Sequence, residues 1–193
     1  MSISSENKNI LSIKLVLLGK YLVGKSALTH RYISDKFPTE HDTTLEDQYK
    51  TIMTIEDIKC DVEILDTSGQ DDYQTMMDTW IESGDCYLLI YSLDDPDSFE
   101  KVKINYEKIC QIKNNQELSV LIVGNKCDLE ESEKKVNKDE VEKFAKDNGI
   151  EMLEASALNK INVKEAFTEV VHDYLIKTKL NNNEKGNICC PCF

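Results

Sequence analysis

Gly19-Lys20-Tyr21-Leu22-Val23-Gly24-Lys25-Ser26 fits the pattern G-x-x-x-x-G-K-[ST]. It lies between an apolar, strand-like run, Ile13 to Leu18, and a helical segment that begins near Ser26. A glycine-rich turn in that position lets backbone N–H groups approach phosphate oxygens, and the positive end of the following helix favours anions. Lys25 is placed to reach the outer phosphates and the Ser26 hydroxyl to ligate magnesium. Gly19, Tyr21, Leu22, Val23, Gly24 and Ala27 complete the candidate phosphate cradle.

Outward from this turn, apolar stretches recur at Val62 to Leu65, Tyr87 to Tyr91, Val120 to Val123 and Met152 to Leu153, each followed by loop or helix signals. That βα alternation predicts a mostly parallel sheet between helices. Gln48 to Thr54 and Ile55 to Leu65 read as two strands around a polar turn near Glu56 and Asp57, an antiparallel hairpin at the sheet edge. Val163, Ala166, Phe167, Val170, Val171, Tyr174 and Leu175 recur at helical spacing, so the last helix is expected to cover one sheet face. The division expected is a flexible extension over 1–10, one domain over 11–179, and a flexible tail over 180–193, which is Asn-rich and non-periodic.

The 193 residues fit one ordinary domain, and 40% apolar content is that of a globular protein. A net charge of -13 argues against a nucleic-acid polymer as partner, because phosphate backbones require a concentrated basic face. The apolar runs fall far below the roughly 20 residues needed to span a bilayer. The N-terminus has neither an apolar signal core nor a Gly after Met1. Cys60, Cys86, Cys110 and Cys127 are dispersed without metal-ligand spacing and read as reduced thiols.

The base must be read elsewhere, since a phosphate loop alone does not separate ATP from GTP. Asn125-Lys126-Cys127-Asp128 follows the apolar strand Val120 to Gly124, so its side chains fall at the strand's carboxyl end, where open α/β sheets bind ligands. A carboxylate at Asp128 accepts from the guanine ring N–H and exocyclic amine, a donor pair that adenine does not present. Asn125 would orient the loop.

Together these two motifs resemble the Ras superfamily, and the resemblance runs from about Ile13 to Leu175. It implies a P-loop NTPase of the G-domain type: α/β, a mostly parallel six-stranded sheet with one antiparallel edge strand, and helices on both faces. Asp66-Thr67-Ser68-Gly69-Gln70 is similar to the family's DTAGQ. By that resemblance Asp66 holds magnesium through water, Gly69 gives its N–H to the γ-phosphate, and Gln70 orients attacking water. Ser156-Ala157-Leu158 resembles the SAK or SAL element that meets the guanine carbonyl, and Phe37 falls where the family stacks an aromatic on the base. Thr43-Thr44-Leu45-Glu46-Asp47-Gln48-Tyr49 resembles TIEDSY, which makes Thr44 a magnesium ligand and γ-phosphate sensor, and Leu45, Glu46, Asp47, Gln48 and Tyr49 the effector segment. Gln70, Lys25 and Thr44 are the catalytic candidates. The spacing from Asn125 to Ser156 leaves no room for the extra helix of the Rho branch, and the effector segment favours the Ras branch.

Several positions depart from the family pattern. Tyr21 and Leu22 stand where the Ras branch usually has glycines, beside the path of an activating protein's arginine. Such an arginine contributes about 10³ to 10⁵ in rate, so its exclusion predicts slow hydrolysis. Ser68 replaces the usual Ala, His41 a Tyr that folds over the phosphates, and Leu158 the common Lys. Met77 and Glu82 replace basic residues of the second switch.

At the C-terminus, Cys190-Pro191-Cys192-Phe193 fits the C-a-a-X form, with Phe193 pointing to geranylgeranylation of Cys190. One lipid gives marginal attachment, and Lys177, Lys179 and Lys185 make a weak basic patch. Cys189 is therefore a palmitoylation candidate. The resemblance thus implies a monomeric GTP/GDP switch with magnesium, lipid-anchored at the inner leaflet of a membrane, the plasma membrane being expected. Its partners would be an exchange factor, an activating protein and effectors of the Ras-binding-domain type. The rival reading is a scaffold that holds GTP with negligible hydrolysis. A P-loop kinase or ATPase would need an adenine site and a second substrate pocket, neither of which the sequence displays.

Overall fold

The computed structural model describes residues 10–37, 46–69, 74–114 and 117–186, with residues 74–75 and 180–186 described by their backbone alone. Expectations at Thr44, Leu45, His41, Gln70, Cys189 and Cys190, and on the extension over 1–9, lie outside the described residues. In chain order the elements are β1 (Leu11–Leu18), α1 (Lys25–Ser34), β2 (Glu46–Ile55), β3 (Ile58–Thr67), α2 (Gln74–Ser83) and β4 (Cys86–Ser92). They continue with α3 (Pro96–Ile112), β5 (Ser119–Asn125), α4 (Lys138–Asn148), β6 (Glu151–Ala155) and α5 (Val163–Gly186).

The six strands form one sheet in the order β2-β3-β1-β4-β5-β6, in which only the β2–β3 pairing is antiparallel. This is the expected fold class. The strands near the middle are apolar on both faces because helices cover both. Leu15 and Leu17 of β1 join α1 and α5 in one core, where Leu28, Phe167 and Val171 are buried. Val16 and Leu18 face the other core with Trp80 of α2, Phe99 and Val102 of α3 and Val141 of α4. The helical stripe read from Val163 to Leu175 is buried at every position except the half-buried Tyr174, which packs against the same core.

The hairpin turns at Glu56 and Asp57 as expected, with the difference that Ile55 ends the first strand, β2, instead of opening the second. It pairs with Ile58, leaving Glu56 and Asp57 as a two-residue turn. Both have positive φ, 46° and 67°, as this turn class demands even where neither residue is Gly or Asn. A second difference concerns the tail. Helix α5 runs on to Gly186, so the segment expected to be flexible from residue 180 begins as helix. No proline interrupts it, and extending a formed helix costs far less than nucleating one. Among the described residues no helix is long and apolar enough to cross a membrane.

Candidate nucleotide site

The phosphate loop leaves β1 at the carboxyl edge of the sheet and enters α1 at Lys25. Gly24 takes φ 94°, and a Cβ there would lie 2.3 Å from Asn125 Nδ2, so both backbone conformation and contact require glycine. Gly69, from the loop after β3, comes as close: a Cβ on it would lie 2.3 Å from the Tyr21 nitrogen. The two loops therefore meet backbone to backbone. Lys25 lies between them, 6% exposed, its ammonium donating to the carbonyls of Gly19 at 3.0 Å and Lys20 at 3.1 Å. Burial lowers its pKa to about 8, partly opposed by the charge of Asp66.

Asp66 ends the apolar run of β3 and is fully buried. Neither of its carboxylate oxygens accepts a protein hydrogen bond of ordinary geometry. Burial pushes its pKa up, while the Ser26 side chain and the Lys25 charge draw it down. Buried polar atoms are rarely left unsatisfied. A carboxylate of this kind beside a hydroxyl is an oxygen-donor set suited to a hard divalent cation, and Ser26 with Asp66 fits magnesium on those grounds. Next to it, the Thr67 hydroxyl donates to the Leu17 carbonyl at 2.7 Å and ties β3 to β1, and Ser68 is buried.

On the base side, Asn125 closes β5 and joins three segments. Its Nδ2 donates to the Val23 carbonyl at 2.8 Å, and its Oδ1 accepts from the Ala157 N–H at 3.3 Å. The Ser156 hydroxyl donates to Asp128 and accepts from the Asn159 N–H at 2.9 Å, which holds the two base-side loops together. Lys126 takes φ 68°, and its ammonium pairs with Asp94 at 3.2 Å. Burial raises the Asp94 carboxyl, but hydrogen bonds from Ser92 and Lys126 outweigh it and leave the pKa lowered.

The structure thus brings together Gly19, Val23, Gly24, Lys25, Ser26, Asp66 and Gly69 on one side, and Asn125, Lys126, Asp128, Ser156 and Ala157 on the other. Ala27 is buried in the core beneath the loop. Phe37 is 36% exposed, with the Arg31 guanidinium 5.8 Å from its ring centroid. Leu158 is exposed, as are Tyr21 at 42% and Leu22 at 61%, the last with φ 65°. Of the expected effector residues, Glu46, Asp47, Gln48 and Tyr49 form the start of edge strand β2.

Sequence reading missed two residues. Arg31 of α1 donates to the carbonyls of Ala157 at 2.8 Å and Leu158 at 2.9 Å, fixing the loop that Asn125 also holds. Asp95 pairs with Lys20 at 2.9 Å and so anchors the phosphate loop to the start of α3. No motif marks either, because each acts on residues 75 or more positions away.

A strand-to-helix phosphate loop facing an Asn-x-x-Asp loop across the carboxyl edge of a parallel sheet defines a P-loop nucleotide-binding protein with a base pocket. The profile of the Ras family matches residues 14–176. The Ras-like protein rasB of Dictyostelium discoideum is 39% identical over 173 residues, which is 90% of this chain and 84% of that protein. The chain belongs to the Ras family of small GTPases. Members bind GTP and GDP, generally with magnesium, and hydrolyse GTP.

Proposed function

We propose that this chain is a magnesium-dependent GTP/GDP switch that binds effectors in its GTP state and signals from a membrane. The observation that carries the reading is the Asn125 side chain, which links the phosphate loop at Val23 to the base loop at Ala157. Lys25 neutralises the outer phosphates. Ser26, Thr44 and, through water, Asp66 hold magnesium, which shields phosphate charge. The Gly69 N–H senses the γ-phosphate, and Gln70 orients the attacking water. Asp128 selects guanine, with Phe37, Lys126, Ser156, Ala157 and Leu158 around the nucleoside. When the γ-phosphate leaves, Thr44 and Gly69 lose their contacts and both switch segments are released, which alters the surface at Leu45 to Tyr49. Glu46 and Asp47 offer negative charge to a basic effector face.

Cys190 geranylgeranylation, with Cys189 palmitoylation as second signal, would place the monomer on the inner leaflet of the plasma membrane, in reach of an exchange factor and an activating protein. Fractionation of cells expressing Cys190→Ser and Cys189→Ser tests this. Each variant is expected in the soluble fraction, and retention on membranes counts against the lipid it removes.

The nucleotide reading is tested by single-turnover hydrolysis of GTP on the purified protein, with ATP as a binding control and Asp128→Asn beside wild type. The expected result is GTP turnover, no ATP binding, and a shift of Asp128→Asn towards xanthine nucleotides. A wild-type preference for ATP overturns the assignment. A second reading, a scaffold that keeps GTP bound with negligible hydrolysis, is favoured by the exposed Tyr21 and Leu22 at the loop. Tight GTP binding without turnover in wild type selects it.

A further inference from the structure

At the other end of the sheet from the phosphate loop, the starts of β5 and β6 open into a cavity of about 640 Å³ bounded by α3, the end of α4 and the outer part of α5. That volume lies within the range of about 300 to 1,000 Å³ in which proteins hold ligands and anchoring side chains. Leu118, Val120, Ile150, Met152 and Ile176 give it an apolar lining, and Ile176 is 40% exposed. None of these residues belongs to the nucleotide site or the effector segment.

The charge of the same cavity is one-sided. Glu117 before β5, Glu151 at the start of β6 and Glu169 on α5 all line it, all are exposed, and none forms an ion pair among the described residues. The basic liners are already engaged. Lys177 is held by Asp173 at 2.6 Å and by the Leu118 carbonyl at 2.7 Å, and His172 lies 3.1 Å from Glu56 of the hairpin turn. Three uncompensated carboxylates from three separate elements therefore line a cavity whose surface is about half apolar, in a chain of net charge -13.

We propose that this cavity is a second docking site, which takes a basic peptide segment of a partner protein: one apolar side chain enters the cavity and flanking Lys or Arg residues meet Glu117, Glu151 and Glu169. An apolar anchor within a ring of complementary charge is the usual anatomy of a tight contact, and Arg is enriched in such positions. Charge complementarity of this kind sets partner choice and association rate. An acidic or neutral occupant would leave the three carboxylates facing like charge or none. The site is independent of the proposed switch, since it shares no residue with the phosphate or base loops.

The test is a selection of phage-displayed random heptapeptides on the full-length purified chain, followed by fluorescence polarisation with the enriched peptide made synthetically. Enriched peptides are expected to carry two or more Lys or Arg beside Leu, Phe or Trp, and to bind more weakly as salt rises. Affinity is expected to fall by about tenfold or more in Glu117→Lys/Glu169→Lys, and comparably in Ile176→Asn, where charge is kept and the apolar lining is lost. Unchanged GDP retention and circular dichroism in both variants show that the fold persists. The proposal is overturned if no basic, apolar-containing peptide is enriched, or if the enriched peptide binds both variants as it binds wild type. It is also overturned if the only association lost in the variants is that of the chain with a second copy of itself.

Discussion

The Asn125 side-chain amide donates to the Val23 carbonyl across 102 positions of sequence, and the same side chain accepts from Ala157. Both backbone partners belong to buried residues. Asn125→Ala leaves two buried polar groups unpaired, at about 1 to 3 kcal/mol each. The expected loss is about 2 to 5 kcal/mol, or a fall in Tm of about 5 to 15 °C for a domain of this size, with faster release of bound GDP. Thermal denaturation within about 2 °C of wild type would show that the bridge contributes little to the fold.

Tyr21 is 42% exposed at the phosphate loop, and its own nitrogen lies against Gly69. Tyr21→Gly removes the bulk from the arginine path and is expected to raise the rate with a Ras-type activating protein by about 10³-fold or more. Equal acceleration of wild type and variant in single-turnover assays would mean that the ring does not obstruct the arginine.

Leu22 sits in the left-handed region at φ 65° with most of its side chain in solvent. Relief of about 1 to 2 kcal/mol of backbone strain exceeds the roughly 0.5 to 1 kcal/mol that glycine adds to chain entropy. Leu22→Gly is therefore expected to raise Tm by about 1 to 3 °C in the GDP-loaded protein, measured by calorimetry.

Burial holds Lys25 at about 8, well below an ordinary lysine. Phosphates favour its charged form, so the bound protein keeps the proton to higher pH than the free one. Nucleotide affinity should then be flat below about pH 8 and fall by up to about tenfold per unit above it. Competition titrations with GDP from about pH 7 to 9.5 measure the slope, and Lys25→Met removes it while retaining any contribution from guanine itself. A slope that survives in Lys25→Met places the titration elsewhere.

Trp80, the one tryptophan of the chain, lies buried in α2 and donates to Glu46 Oε2 at the start of β2 at 2.9 Å. It joins the expected effector strand to the helix of the expected second switch. Exchange of GDP for a non-hydrolysable GTP analogue is expected to change its emission, and Glu46→Ala to reduce that change by about half or more. Identical spectra in the two nucleotide states would show that the contact survives the switch.

Much of the fold is legible in the residues. The two-sided apolar run of β1, the helical stripe from Val163 to Leu175 and the polar break at Glu56 and Asp57 announce their elements because burial imposes periods of 2 and 3.6. The extent of α5 is not legible. Its last turns, through Asn181 to Gly186, carry no apolar stripe, and their helicity follows from the formed helix before them.

The site divides in the same way. Gly24, Lys25, Asn125 and Asp128 are legible because phosphate and guanine demand those groups at short, fixed spacings within single loops. The sequence by itself therefore determined the class of protein and the residues expected to carry its chemistry. Only the tertiary structure decided which loop holds which: Arg31 on the Ala157 and Leu158 carbonyls, Asn125 on Val23, Asp95 on Lys20, and Glu117, Glu151 and Glu169 around one cavity. Those contacts depend on strand order and register, and the periodicity within each segment reports which face is buried without naming the neighbour that covers it.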